Sequence, residues 1–350
     1  MPDIPRIFHG PANICGIGRD LADWQQENKQ VKSDFIVFED RTNRQNSHKN
    51  LHLSEINPLS RIIRQLQFFV EALKNYDIFH FYFGKSLLPL NLDLPILRLA
   101  GKRILMTYLG SDIRLDKIEK KRNPYYLLRK PKNNKSDLLK QVRMIWHGIW
   151  CDYCITGLRL FSSAITSIPK KKIINDIWVA KTMEIPPDPP KYINRKRPVV
   201  IHAPTNPLTK GTKYVQKAVD ALIEKGVDFE FRIFHKVPHD EFLEFLINEA
   251  DIVVDQLLSG GYGTLAMEGM TYGKPVCCYV TEDILNQIPD LPIVQCTIET
   301  LQDNLQELIL HPEKREEIGQ GGWDFAREHF DRDVVAEKLW QIYLKLWNNH

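Results

Sequence analysis

Apolar residues along the first half of the chain follow two spacings. Residues 6–9, 34–38, 77–83 (DIFHFYF) and 103–108 (RILMTY) are short, almost continuous apolar runs of the length and composition of buried strands. Residues 19–28 and Pro58–Asn75 instead place apolar side chains every three to four positions, which gathers them on one face of a helix. The second half repeats the alternation, with strands expected at Val199–His202, 250–256 (ADIVVDQ) and 276–280 and a helix at 213–225. Residues 312–347 read as helical, with an apolar face at Val335, Leu339, Ile342, Tyr343 and Leu346. Strands alternating with helices predict an α/β protein whose parallel sheets are covered on both faces.

The most informative stretch is residues 259–276, SGGYGTLAMEGMTYGKPV. Gly260, Gly261 and Gly263 allow a tight turn and close backbone approach, and Thr264 is placed to cap a helix running through Leu265 and Glu268. The free N–H groups at such a helix start attract an anion. Glu268 lies one turn further in, clear of a phosphate but within reach of a sugar hydroxyl. Gly273 then suits the C-terminal cap, and Pro275 stops the helix. A second loop, His202-Ala203-Pro204-Thr205-Asn206, leads to Lys210-Gly211-Thr212 and another helix. A lysine there can neutralise a diphosphate that also receives the amides of the glycine loop, so the two loops would clamp a nucleotide from both sides. A glycine-rich turn without a ligand and a solvated Lys210 are the plainer alternatives that spacing leaves open.

At 350 residues the chain is long enough for two domains. Residues 184–198 (EIPPDPPKYINRKRP) cannot continue a helix and read as an extended interdomain linker. The net charge of +3 hides an asymmetry, since residues 1–196 carry 33 Lys and Arg against 19 Asp and Glu, while the remainder is acidic. The basic excess concentrates in residues 114–143, interleaved with Tyr125 and Tyr126, where it could meet an anionic membrane surface, a polyphosphate-linked acceptor or nucleic acid, or be a solvated lysine-rich surface. No nucleic-acid recognition motif accompanies it. No apolar run reaches the ~20 residues needed to span a bilayer, and the first residues lack a signal-peptide core, so a cytoplasmic protein is expected, at most peripheral at the inner membrane face. The six cysteines are scattered in apolar contexts, and Cys151-x-x-Cys154 has no second pair, which points to packing rather than a metal site. Asp331-Arg332-Asp333 reads as a helix start, and neither a Walker A loop nor a Gly-x-Gly-x-x-Gly fingerprint is present.

Lys210-Gly211-Thr212 with its following helix, together with ADIVVDQLLSGGYGTLAMEGMTYGKPV, resembles the C-terminal domain of retaining GT-B glycosyltransferases of family four, and GGWDFAREHFDRDVVAEKLWQIY resembles that family's closing helices. In the first half HGPANICGIGRDLA resembles its glycine-containing acceptor-side loop, and DIFHFYFGKSLLP and MTYLGSDIR resemble its interdomain-facing loops. The resemblance implies a GT-B fold: two Rossmann-like, doubly wound parallel-sheet domains facing a crevice. Residues 1–190, with a helix return at about 335–350, would form the acceptor-side domain, and residues 191–334 the nucleotide-sugar domain.

It further implies transfer of a sugar from a nucleotide-diphosphate sugar to a glycan or lipid-linked acceptor, with retention and without a metal or other cofactor. Lys210 and Glu268 become the catalytic pair, acting on the diphosphate and the ribose. Donor contacts fall to Gly16, Gly18, Thr205, Asn206, Gly260, Gly261, Tyr262, Gly263, Thr264 and Leu265, and the acceptor-side candidates are His80, Ser111, Asp112 and Arg114. Three features depart from the pattern. Gly260 stands where a first glutamate is usual, Thr205, Asn206 and Pro207 stand where an arginine is common, and Leu109 replaces a histidine. Asp255 and Gln256 are candidates to supply the missing hydroxyl contacts. A non-catalytic GT-B subunit, or a sugar-nucleotide epimerase or hydrolase, is the competing reading.

Overall fold

A computed structural model of the chain describes residues 4–14, 16–40, 47–129, 136–157, 167–177 and 182–348. Cys15 and the part of the basic run at 130–135 lie outside the described residues. The chain forms two compact units, one of Met1–Leu115, Lys135–Thr182 and Arg332–His350, the other of Asp116–Asn134 and Met183–Asp331.

The first unit holds a seven-stranded sheet made of β1 (Ile7–Gly10), β2 (Ser33–Val37), β3 (Lys49–Asn50), β4 (Ile78–Tyr82), β5 (Arg103–Thr107), β6 (Tyr153–Ile155) and β7 (Ile173–Ile174), in the order β3-β2-β1-β4-β5-β6-β7. Every pairing is parallel. Strand order reverses between β1 and β4, and at such a switch point the loops at the carboxyl ends diverge and leave a crevice. On β4, Ile78 and Tyr82 join a core with Ile17, Leu21 and Trp24 of helix Ile17–Lys29 and Leu339 and Tyr343 of the final helix Arg332–Asn348. The expected apolar face of that final helix is therefore a core face. Phe79 and Phe81 point the other way and pack with Phe8, which meets Phe68 of helix Pro58–Asn75 at 6.0 Å between ring centres.

The second unit holds a five-stranded parallel sheet of β8 (Val199–His202), β9 (Glu230–Ile233), β10 (Ile252–Val254), β11 (Val276–Cys278) and β12 (Val294–Gln295), ordered β12-β11-β10-β8-β9. Its switch point lies between β8 and β10, whose pairing of His202 with Val254 brings both strands to the same edge together. Val200, Ile252 and Val254 bury against Val215 and Leu222 of helix Thr212–Glu224 and Leu305 of helix Leu301–Leu310. The proline-rich stretch lacks regular structure and is tied to this unit, through Trp323 Nε1 donating to the Pro186 carbonyl at 3.2 Å and Arg195 pairing with Asp251 at 2.8 Å. Asp116–Asn134 also packs here, since Arg122 pairs with Asp283 at 3.0 Å and Tyr125 donates to Glu299 at 2.7 Å.

Candidate functional site

The loops that leave β8 and β10 carry Lys210, Glu268 and most of the donor-side residues singled out by sequence. After β8, Asn206 caps the short helix Pro207–Lys210 by accepting from Leu208 N and Thr209 N, and Gly211 turns left-handed at φ 84° to begin the next helix. This turn sets Lys210 Nζ 2.6 Å from Asp255 Oδ1 at the end of β10. The other carboxylate oxygen of Asp255 accepts the Gly263 N–H at 2.7 Å. Asp255 is fully buried, so its charge is satisfied by the lysine and by a glycine-loop amide, both of which were expected to face a diphosphate. His202 stands behind this pair, donating from Nδ1 to the Val254 carbonyl and accepting at Nε2 from Thr212, and burial lowers its pKa.

The glycine loop is held from several sides. Asn123 donates to the Leu258 carbonyl at 2.9 Å, Thr281 donates to the Gly260 carbonyl at 3.0 Å, and the Gln256 amide donates to the Gly261 carbonyl. Gly260 is left-handed at φ 70°, and a Cβ there would lie 2.7 Å from Thr281 Cγ2. The position where a first glutamate was due is thus shaped for glycine. Helix Thr264–Thr271 is capped by Gly263, and Thr264, expected as the cap, is its first helical residue. A Cβ on residue 263 would sit 2.9 Å from Lys210 Nζ and 3.0 Å from Asp255 Oδ2, so glycine lets this cap lie close against the pair. The N–H groups of Thr264 and Leu265 open this helix with no carbonyl one turn earlier within it to pair with. At the other end Gly273 takes the left-handed cap, and Lys274 N reaches the Gly269 carbonyl at 2.8 Å.

Glu268 is buried one turn beyond Thr264, and its Oε1 lies 2.8 Å from His239 Nε2. His239 opens helix His239–Asn248, and nothing in the local sequence pattern pointed to it. Of the remaining donor candidates in this unit, Thr205 is exposed and Tyr262 and Leu265 are buried.

In the first unit the candidates separate. His80 is a core residue with Nδ1 2.6 Å from the Tyr343 hydroxyl and Nε2 2.6 Å from the Thr107 hydroxyl, and burial holds its pKa well below the usual value. Both ring nitrogens are occupied inside the sheet, so His80 does not present an acceptor-facing group. Asp112 is also buried, caps its own loop by accepting from Leu109 N and Gly110 N, and has its pKa raised by that burial. Ser111 is exposed beside it, and the Arg114 carbonyl accepts from Lys140 at 2.6 Å. Gly16 turns left-handed to start helix Ile17–Lys29 and donates to Asn13 Oδ1. Gly18 serves packing, since a Cβ there would meet the Phe35 ring at 2.4 Å.

Sequence reasoning did not foresee a pocket of about 320 Å³ at the β1–β4 switch point, lined by Asn13, Phe38, Arg61, Gln65, Phe83 and Lys85 among others. Phe83 takes φ 59° at its wall, a conformation rare for a bulky residue. Several of the basic residues at 114–143 do structural work. Arg122 and Arg129 flank buried Glu119, and Arg143 donates to the Asp112 carbonyl, while Lys117, Lys120 and Lys121 are exposed. The five described cysteines are free and buried.

No protein-family model matches the chain, and no curated protein matches it by sequence. Solved structures do. The chain is similar to sucrose-phosphate synthase from Thermosynechococcus elongatus, with a TM-score of 0.69 at 13% identity over 99% of this chain and 100% of that one. It is similar to a TarM variant from S. aureus, solved with fondaparinux, alpha-GlcNAc-glycerol and UDP, with a TM-score of 0.63 at 10% identity over 99% and 100%. It is also similar to a protein described as a UDP-N-acetylglucosamine 2-epimerase from Listeria monocytogenes, with a TM-score of 0.59 at 13% identity over 97% and 95%. The fold is that of GT-B proteins, with two parallel-sheet α/β domains.

Proposed function

We propose that the chain is a glycosyltransferase that moves a sugar from a nucleotide-diphosphate donor, with retention, to a glycan or lipid-linked acceptor. The observation that carries this reading is the convergence of Lys210, the Gly263–Leu265 backbone and Glu268 at the β8–β10 switch point. A diphosphate seated there would meet the Lys210 cation and the first amides of helix Thr264–Thr271, which stabilise the negative charge that grows as the bond to the sugar breaks. Asp255 acts as a positioning residue, because it fixes the lysine head and the loop in register before any ligand arrives. Glu268, steadied by His239, is the acceptor for ribose hydroxyls, at roughly 1.5–3 kcal/mol for a hydrogen bond to a charged group.

In this scheme the leaving diphosphate takes the acceptor proton on the same face of the sugar, so no protein base and no metal is called for. Holding the acceptor hydroxyl beside the leaving phosphate on that one face supplies much of the rate. The likeness to an epimerase fold supports a second reading, in which the same site processes the nucleotide sugar without an acceptor. Product analysis with UDP-, GDP- and ADP-sugars, each with and without a polyprenyl-linked acceptor, separates the two. Acceptor-dependent release of nucleotide supports transfer, whereas an acceptor-independent isomer supports epimerisation. Nucleotide binding without turnover under any condition would instead indicate a non-catalytic subunit.

A further inference from the structure

One face of the seven-stranded sheet is covered by helices that turn apolar stripes outward. The connections from β3 to β4, β4 to β5 and β5 to β6 all step the same way along the sheet, so right-handed crossovers place helices Pro58–Asn75, Asp93–Leu99 and Asp137–Trp150 on one side. Side chains agree, with Phe68 against Phe8 on this face and the Tyr108 hydroxyl 2.6 Å from His147.

Helix Asp137–Trp150 has reversed polarity. Leu138, Val142, Ile145 and Ile149 form one exposed stripe, with Leu138 67% exposed, and Trp146 and Trp150 border it. Lys140 and His147 face inward beside buried Met144, where Lys140 donates to the Arg114 carbonyl and His147 bonds to Tyr108. A helix at an ordinary aqueous surface shows the opposite pattern. On helix Pro58–Asn75 the exposed stripe is Leu59, Ile62, Ile63, Leu66 and Val70, and the Asp93–Leu99 region adds Leu92, Ile96 and Leu99. Single exposed apolar residues need no explanation, but aligned stripes on three helices of one face mark an interaction surface.

We infer that this face docks onto a lipid bilayer bearing anionic headgroups. Charge complementarity selects that occupant. Arg61 and Arg64 are exposed on helix Pro58–Asn75, and Lys170 and Lys171 are exposed next to Lys172, which binds the Gly148 carbonyl near the C-terminal end of helix Asp137–Trp150 at 2.9 Å. Glu71, the acidic residue of helix Pro58–Asn75, is paired with Lys49. A second copy docked by twofold symmetry would set the same basic rim against itself. Tryptophans bordering an apolar stripe with basic residues around it suit helices that lie in the interface plane, and no described helix is long and apolar enough to cross a membrane. Arg61 and Gln65 of the same helix line the pocket at the β1–β4 switch point, so a substrate held in the bilayer is the acceptor class this face would deliver. That last point rests on the transferase reading, whereas the docking does not.

Vesicle flotation of the full chain tests the docking without any turnover. The probes are phosphatidylcholine vesicles with about 30 mol% phosphatidylglycerol and vesicles of phosphatidylcholine alone. The unaltered chain is expected to float with the anionic vesicles and to be released by roughly 0.5 M salt or by omission of the anionic lipid. The double variants V142E/I145E and I62E/I63E, altered only at exposed positions, should lose about tenfold or more in partitioning while keeping their melting temperature. Failure of the unaltered chain to float, or equal flotation of the variants, overturns the proposal. Concentration-dependent dimers that the same substitutions disperse, in the absence of flotation, overturn it in favour of self-association.

Discussion

Lys210, closing its short helix, and Asp255, directly after β10, meet at 2.6 Å, and the same carboxylate takes the Gly263 N–H at 2.7 Å. The lysine expected to meet a diphosphate is thus already held by a buried anion. That pairing makes the cationic head part of the folding energetics as well as of the site.

Removing one partner of a buried pair costs more than removing both. Lys210→Met leaves the fully buried Asp255 carboxylate without its cation and should cost about 3 kcal/mol in urea unfolding. The Lys210→Met/Asp255→Asn double variant should recover at least half of that loss. A double variant less stable than Lys210→Met alone would show that the pair is not the coupled unit described.

Gly260→Glu places the family's usual carboxylate at a left-handed position that leaves no room for a Cβ. It should destabilise by about 1–3 kcal/mol and leave nucleotide affinity no better than before. Tighter nucleotide binding by this variant would mean that the loop adapts and that Gly260 is a lost contact.

Gly18→Ala presses a methyl group into the Phe35 ring. A loss of about 1–3 kcal/mol in thermal or urea unfolding is expected, with nucleotide affinity unchanged. Unaltered stability with weakened binding would return Gly18 to the donor site.

Three histidines are buried in the first unit, with pKa lowered from 6.5 to about 4 for His9, to about 3 for His147, and well below the usual value for His80, mainly by desolvation. The unfolded chain therefore binds more protons than the folded one below pH 6.5. Stability from these groups is complete above that pH and falls as pH drops toward 4, by roughly 1.4 kcal/mol per pH unit for each fully titrating histidine. The urea midpoint should be clearly lower at pH 5 than at pH 7, and His147→Gln should reduce the difference. A midpoint independent of pH over this range would contradict the burial of neutral imidazoles.

Local periodicity made most strands and helices legible, because apolar runs and turn residues lie next to each other in sequence. Val199–His202 and Pro58–Asn75 fall where the pattern placed them. The contacts that define the site are long-range and left no local mark. Asp255 lies far along the chain from Lys210, and His239 reaches Glu268 from a different helix. Asp116–Asn134 joins the second unit through Asn123, Arg122 and Tyr125, whose charges suggested only a solvated or lipid-facing run. The stripe on helix Pro58–Asn75 was visible as helical spacing, but spacing does not say whether an apolar face turns inward.

The nucleotide site on the second unit is tested most directly by calorimetric titration of UDP, GDP and ADP into the unaltered chain and into Glu268→Gln, with folding checked by circular dichroism. One nucleotide should bind the unaltered chain, and Glu268→Gln should weaken it by about tenfold or more, the loss of a charge-assisted bond to the ribose. Equal affinity in the two proteins, or no binding of any nucleotide, would contradict the assignment.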